Sequence, residues 1–475
     1  MLRRAYGFIV HKVMIKRPPK SPLIIVLGAT GTGKSQLAVD LARRFDGEII
    51  NGDAMQMYDG LPIITNKVTL EEQQGIPHHL LGFVGLEEEP WRVGKFKQKA
   101  GQIIREIRSR GRLPILVGGT HYYTQKLLFD ETLVTPIREL ENQIHGGLTD
   151  QELEERYPIL RESTENLMAR LREVDPIMAD RWHPKDRRKI RRSLEIFLTT
   201  GKKASDTYAE QKERRTCKKL INAEKESVAE PMVDIESVLL FWVYAEHEIL
   251  KKRLDARIDK MVNAGLLDEV KSMELFLQSQ TKLGIEVDRG RGIWVSIGYK
   301  EFEPYLKALD SATASNEEVQ SSYELSVEHT KIATRQYARQ QVRWIRTKLL
   351  PALSEVNADN NLYLVDGSDV SKFSETVAHP AIKIAESFLK GTERVAPRDL
   401  CAAAAKILDP EEVADVADPY RQECELCHVV VLADHQWQMH LNSRRHKALL
   451  KKKQKNERSG RKRPPPMDSR SGSDI

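Results

Sequence analysis

Leu23 to Leu27 form an unbroken apolar run that stops at Gly28. A run this short, bounded by turn residues, predicts a strand buried on both faces, as parallel sheets require. Gln36 to Ala42 follows with helical spacing. The alternation then repeats. Gly47 to Asn51 reads as a second short strand, Phe96 to Arg108 as a helix with Lys and Arg outward, and Leu113 to Val117 as a third strand. Val238 to Tyr244 and Leu362 to Val365 read as further strands. One long amphipathic helix is expected over 250–276, a second over 319–349, and a closing helix over 381–389. Between 129 and 201 the apolar positions keep helical spacing and no strand pattern appears. Strands alternating with helices predict an α/β fold with a parallel sheet, interrupted by a helical insertion.

The junction between the first strand and its helix carries the clearest chemistry. Gly28 to Ser35 reads G-A-T-G-T-G-K-S, a complete G-x-x-x-x-G-K-[ST] pattern in strand–loop–helix order. Glycines there let backbone N–H groups turn around an anion at a helix start, whose dipole also favours negative charge. Lys34 reaches the terminal phosphate and Ser35 holds Mg²⁺ in such a loop. A ligand-free glycine turn is the plain alternative, and the full match in context argues against it. The chain therefore handles a diphosphate or triphosphate. Asp53 lies just past the second strand, where α/β folds place their sites. The third strand ends in Gly118-Gly119-Thr120 instead of the Asp that helps hold Mg²⁺ in many NTPases, which argues against a standard ATPase or helicase. His78 and His79 are adjacent, so on an extended chain they point to opposite faces. One structural and one exposed histidine is the expectation, not a metal pair.

The 475-residue length allows two or three domains. A net charge of +6 is modest, but its distribution is not. No acid precedes Asp40, and the C-terminal end is crowded with Lys and Arg, so polyanionic partners or targeting signals are implied. Residues 1–20 place Leu2, Tyr6, Ile9 and Val13 on one helical face and resemble a mitochondrial presequence; a plain N-terminal extension is the alternative. No apolar run approaches a membrane span. Residues 185–195 are strongly basic at helical spacing, fitting either a solvated face or a phosphate-backbone contact. Arg335, Arg339, Arg343 and Arg346 form a second basic stripe.

Two of the four cysteines, Cys217 and Cys401, are scattered, so no disulfide framework is expected. Cys424 and Cys427 begin a C-x₂-C-x₁₂-H-x₅-H pattern completed by His440 and His446. Two thiolates and two imidazoles suit tetrahedral Zn²⁺, and a module this small needs the metal to fold. Basic residues around His446 favour a nucleic-acid role. The expected domains are a targeting segment at 1–20, a P-loop NTPase-like α/β core at 21–128 and 202–390, and a helical insertion at 129–201. A linker at 391–420, a small zinc finger at 421–450 and a basic disordered tail at 451–475 complete the chain.

Several segments together resemble the tRNA dimethylallyltransferases (tRNA isopentenyltransferases), in the eukaryotic form with a C-terminal zinc finger. They are G-A-T-G-T-G-K-S, N-G-D-A-M-Q-M-Y, I-P-H-H-L-L, L-P-I-L-V-G-G-T-H-Y-Y, R-R-K-I-R-R-S-L-E-I-F-L-T-T-G-K, R-I-D-K-M-V-N-A-G-L-L-D-E-V, I-G-Y-K-E-F and Y-A-R-Q-Q-V-R-W-I, in family order from about 22 to 366. The resemblance implies transfer of a prenyl group from dimethylallyl diphosphate to N6 of the adenosine just 3′ of the anticodon. The tRNAs concerned read codons beginning with U. Gly28, Thr30, Gly31, Thr32, Gly33, Lys34 and Ser35 would then bind the prenyl donor in place of a nucleotide. Asp53 matches the family's general base, Thr120 a threonine at the reacting centre, and Arg257 a diphosphate-binding arginine. Asp53, Ala54, Met55 and Gln56 match family tRNA contacts, as do Arg188, Lys189, Ile190, Arg191 and Arg192. The implied cofactors are Mg²⁺ and structural Zn²⁺. The expected partner is the tRNA anticodon stem-loop, with no membrane and a monomeric protein, in cytoplasm and mitochondrion and also nucleus. Asn51-Gly52-Asp53-Ala54 replaces the commoner Ser-Ala-Asp-Ser, and 202–230 fits the family poorly. A P-loop small-molecule kinase and a non-catalytic RNA-binding protein are the rival readings. The kinase does not explain the finger, and intact Lys34, Ser35, Asp53 and Thr120 argue against the second.

Overall fold

The computed structural model describes residues 17–129, 150–210, 233–409, 422–427, 429–431, 434–444 and 446–451. The expectations for a presequence over 1–16, for 211–230, for 410–420 of the linker, for Cys217, and for the basic tail beyond 451 lie outside the described residues. The chain forms two compact units.

The first unit is built on a parallel sheet of six strands in the order β3-β2-β4-β1-β5-β6. The strands are β1 (Leu23–Gly28), β2 (Gly47–Asn51), β3 (His78–His79), β4 (Leu113–Val117), β5 (Val238–Tyr244) and β6 (Leu362–Asp366). Every residue of β1, β2 and β4 is buried, as unbroken apolar runs covered on both faces must be. One face packs against the helices Lys34–Phe45 and His379–Lys390, through Leu37, Leu41, Ile384 and Phe388. The other carries a larger core including Phe96, Trp242, Tyr299 and Phe302. The connection from β1 runs to β2 on one side of it, and the connection from β4 crosses to β5 on the other side. A crevice therefore opens at the carboxyl ends of the central strands, where such sheets bind ligands.

Four expectations are corrected. The helix expected over 250–276 is two, His247–Asn263 and Leu266–Lys282. Gly265 sits between them at φ 106°, a conformation that side chains rarely adopt, so the helix ends there. The second long helix spans Asn316–Trp344, continues through a π turn at Ile345–Leu349 and ends with Leu350–Glu355. Residues 391–409 are not free linker. The helix Ala402–Ile407 buries Ala404 and Ile407 in the core, and Arg398 donates to the Leu408 carbonyl. Finally, His78 and His79 are both half-buried and both bonded, His78 to the Ile76 carbonyl at 2.8 Å and His79 to Glu48 at 2.6 Å. Buried Glu48 also takes Arg110, so neighbouring charges compensate the polar face that simple alternation would leave to solvent.

In the second unit, the insertion folds from the helices Asp150–Arg156, Thr164–Val174, Pro176–Arg181 and Arg187–Thr200. They share a small apolar core that includes Leu153, Leu167, Leu171, Met178, Ile190 and Leu194. The finger pairs β7 (Gln422–Cys424) antiparallel to β8 (Val429–Val431), followed by the helix Asp434–Asn442. No helix among the described residues is long and apolar enough to cross a membrane.

Candidate active site and metal centre

Three loops meet where β1, β2 and β4 end. Gly52 N–H donates to the Val117 carbonyl at 2.7 Å, and Gly118 N–H to that of Val26 at 3.3 Å. A Cβ at Gly118 would lie 2.3 Å from the Gly52 carbonyl carbon, so the two backbones touch and only glycine fits. The Gly118-Gly119 signature is thus a close-packing requirement at the strand end.

The β1 loop closes on itself. Lys34 Nζ donates to the Ala29 carbonyl at 2.7 Å, as does the Thr32 hydroxyl at 2.9 Å. Arg253 spans from the Gly31 carbonyl to those of Gly367 and Ser368 beyond β6, fixing the loop's outer side. Arg257, one turn further along the same helix, donates to Thr30 Oγ1 at 3.0 Å. Burial pushes the Lys34 ammonium down to about 8; Asp53 opposes this and Arg257 adds to it. Burial likewise lowers Arg257 to about 10, again against the pull of Asp53. His121, behind the loop, is pushed down to about 3 by burial and by the Lys34 charge, so it is neutral. Ser35 is exposed on the first helical turn.

Asp53 is held by a tight turn. Asn51, nearly fully buried, accepts from Asp53 N–H at 3.0 Å and donates to the Asp53 and Leu80 carbonyls at 2.9 and 2.8 Å. Asp53 Oδ1 accepts from Met55 N–H at 3.0 Å. Burial raises its pKa above the ordinary 3.8, against backbone donors and Lys34 that lower it. Thr120 Oγ1 accepts from Ala54 N–H at 3.0 Å. Lys34, Asp53, Thr120 and Arg257, with the loop glycines and Thr30, are therefore brought into one site. Two cations on an anion cradle, with a carboxylate of raised basicity beside them, can bind a diphosphate and accept a proton from a nucleophile.

Other expected residues sit differently. Ala54 and Met55 pack against the main core, and Gln56 Nε2 donates to the Asn66 carbonyl at 3.0 Å. In the insertion, Ile190 is fully buried. Arg191 is bonded to Glu154 and Glu195, and Arg192 lies 3.4 Å from Glu195. Lys189 is exposed but pairs with Asp186 at 2.9 Å. Arg188 is exposed and has no acid within ion-pair distance among the described residues. In the second basic stripe, Arg335 pairs with Asp255 and Glu328.

Sequence reasoning missed Gln341 and Tyr337, on the inner face of the helix Asn316–Trp344. Gln341 bridges Thr30 N–H and the Gly119 carbonyl at 2.8 and 2.9 Å. Tyr337 bonds Thr120 and Gln341, and burial raises its pKa. Their four-residue spacing is visible within Y-A-R-Q-Q-V-R-W-I, where the arginines are the more conspicuous feature.

In the finger, the donor atoms of Cys424, Cys427, His440 and His446 all lie within 4.8 Å of one another. His446 Nδ1 is 3.5 Å from Cys424 Sγ and 3.4 Å from Cys427 Sγ. Tetrahedral bonds of ~2.3 Å to sulfur and ~2.0 Å to nitrogen set that edge at about 3.5 Å. His440 Nε2 is buried without a protein partner, as a ligand atom would be. The four residues fit zinc.

Fold and site define a P-loop transferase that uses its phosphate cradle beside a basic carboxylate. The sequence profile of the IPP transferases matches residues 56–348. Over 448 residues the chain is 35% identical to the tRNA dimethylallyltransferase of Schizosaccharomyces pombe, covering 91% of this chain and 95% of the relative. It is 34% identical to that of Homo sapiens, covering 91% and 87%. A crystal structure of a eukaryotic dimethylallyltransferase acting on tRNA superposes with TM-score 0.70 at 32% identity, covering 93% of this chain and 99% of that one. The chain belongs to the tRNA dimethylallyltransferase family.

Proposed function

We propose that this enzyme transfers the dimethylallyl group of dimethylallyl diphosphate to N6 of the adenosine just 3′ of the anticodon, in tRNAs reading codons that begin with U. The product is N6-isopentenyladenosine. The observation that carries this reading is the meeting of Lys34 and Arg257 on the P-loop with Asp53, whose basicity burial raises. The bond between C1 of the prenyl group and its bridging oxygen breaks, and the electron pair leaves with the diphosphate. Lys34, Arg257 and the loop N–H groups stabilise that charge as it forms. The adenosine N6 attacks C1 and gives its proton to Asp53. Thr120, fixed by Ala54 N–H, holds the far wall of the reacting centre. The target base leaves its stack to enter. The Ser35 hydroxyl, exposed on the first helical turn, would hold Mg²⁺, which would supply further charge neutralisation.

The RNA is gripped outside this centre. Arg188 and Lys189 contact phosphates, and the zinc-bound finger adds affinity for the anticodon stem through further phosphate contacts. The enzyme acts as a monomer, in cytoplasm and mitochondrion and also in the nucleus.

The test is transfer of labelled prenyl from dimethylallyl diphosphate to an unmodified anticodon stem-loop with three adenosines after the anticodon. Wild type should form product. Asp53→Ala should be slower by about 10³-fold, within the range that general bases contribute. ATP hydrolysis or phosphoryl transfer in place of prenyl transfer would overturn the reading.

A further inference from the structure

Gln341 is 3% exposed, on a helix whose outer face is lined with charge. Both ends of its amide are used between loops that leave adjacent strands, β1 and β4. Oε1 accepts the Thr30 N–H of the phosphate cradle at 2.8 Å, and Nε2 donates to the Gly119 carbonyl at 2.9 Å. Gly119 N–H in turn bonds the Asp53 carboxylate. Tyr337, one helical turn earlier, joins Gln341 to Thr120. The fit has no slack: a Cβ on Gly119 would lie 2.4 Å from Gln341 Nε2. One side chain thus links the seat of the leaving group to the residues that hold the proton acceptor.

We propose that Gln341 is a positioning residue that sets the separation between the P-loop-bound diphosphate and the Asp53–Thr120 side of the site, and so the approach of N6 to C1. The inference rests on the proposed prenyl transfer. The chemistry of the amide fits the task. One loop offers an N–H and the other a C=O, and a glutamine supplies an acceptor and a donor at once. An ionised carboxylate would repel the Gly119 carbonyl, and an alkyl chain would leave both backbone groups unpaired. Reaction between two bound partners depends steeply on their alignment, and a shift of ~1 Å can cost about 100-fold in rate.

The experiment compares wild type, Gln341→Leu and Gln341→Glu in single-turnover transfer at saturating enzyme, donor and stem-loop RNA. Donor and RNA dissociation constants are measured separately, with a thermal melt of each variant. Gln341→Leu should slow transfer about 100-fold while both dissociation constants stay within about threefold. Gln341→Glu gives the sharper reading. Its neutral acid form keeps the acceptor for Thr30 N–H and restores a donor towards Gly119, whereas its ionised form does not. The ratio of its rate to that of wild type should therefore fall as pH rises through the pKa of the introduced acid. A Gln341→Glu rate that is a constant fraction of wild type across pH would overturn positioning and leave a packing role, even where Gln341→Leu fails to fold. So would equal losses of rate and affinity in Gln341→Leu, or variants as fast as wild type. Absence of prenyl transfer by wild type itself would overturn the functional reading, and this one with it.

Discussion

The catalytic loops and the basic helix of the insertion are both rich in charge and treat it in opposite ways. Lys34, Arg257 and Asp53 are each driven by burial towards the neutral form; Asp53 opposes the shift of both cations and Lys34 that of Asp53, while Arg257 adds to that of Lys34. On Arg187–Thr200, Arg191, Arg192 and Lys189 have acids within ion-pair distance. Charge that is desolvated without a dedicated partner is held ready for a ligand. Charge already paired with a neighbouring acid chiefly maintains a local fold; an exposed pair such as Lys189–Asp186 contributes about 1 kcal/mol or less. A count of Lys and Arg would rank the insertion helix above the P-loop as a site. The environment of each group reverses that order.

The largest expected effect separates the two regions directly. Lys34→Met removes a cation from the diphosphate seat and should lower kcat/KM for the donor by about 10²–10³-fold, the scale of one lost electrostatic stabiliser. Affinity for the stem-loop should change little, which equilibrium binding would check. A comparable loss of RNA affinity would break the proposed division between regions.

Zinc removal addresses the other side. A zinc-selective chelator, with Mg²⁺ kept in excess, should abolish the finger's fold and weaken RNA binding by about tenfold, the equivalent of roughly 1.4 kcal/mol. The rate on fully bound RNA should persist. A matching fall in single-turnover rate at saturating enzyme would place the finger in the chemistry.

The pH profile of donor kcat/KM sharpens the comparison further, because it reports the free enzyme. Lys34 is charged below about 8 and neutral above it, so activity should fall about tenfold per pH unit on the alkaline side. On the acid side Asp53 must lose its proton to serve as base. Its raised pKa moves that limb upward from the ordinary 3.8. A profile flat through pH 8–9 would contradict the alkaline assignment.

The smallest effect belongs to Arg188→Ala. Losing one phosphate contact should weaken RNA binding a few-fold and reduce the slope of log affinity against log salt by about one. An equal effect from Arg191→Ala, after correction for any lost stability of the insertion, would mean that its pairs with Glu154 and Glu195 exchange for phosphate.

Local sequence determined much of this protein. The continuous apolar runs of β1, β4 and β5 required burial on both faces, and glycine–lysine–serine spacing at a strand–helix junction defined an anion cradle whatever the rest of the chain does. The Cys424–His446 spacing likewise determined a cluster of four residues fit to hold a metal, because four such side chains within one short segment need no distant partner. Tertiary structure alone decided the remainder. Glu48 makes His79 structural, Glu154 and Glu195 occupy Arg191, and Gln341 ties Thr30 to Gly119 across more than 200 positions of sequence. The physical reason is that a side chain's desolvation and hydrogen-bond partners come from segments remote in the chain, whereas periodicity and spacing record only the residues next to it.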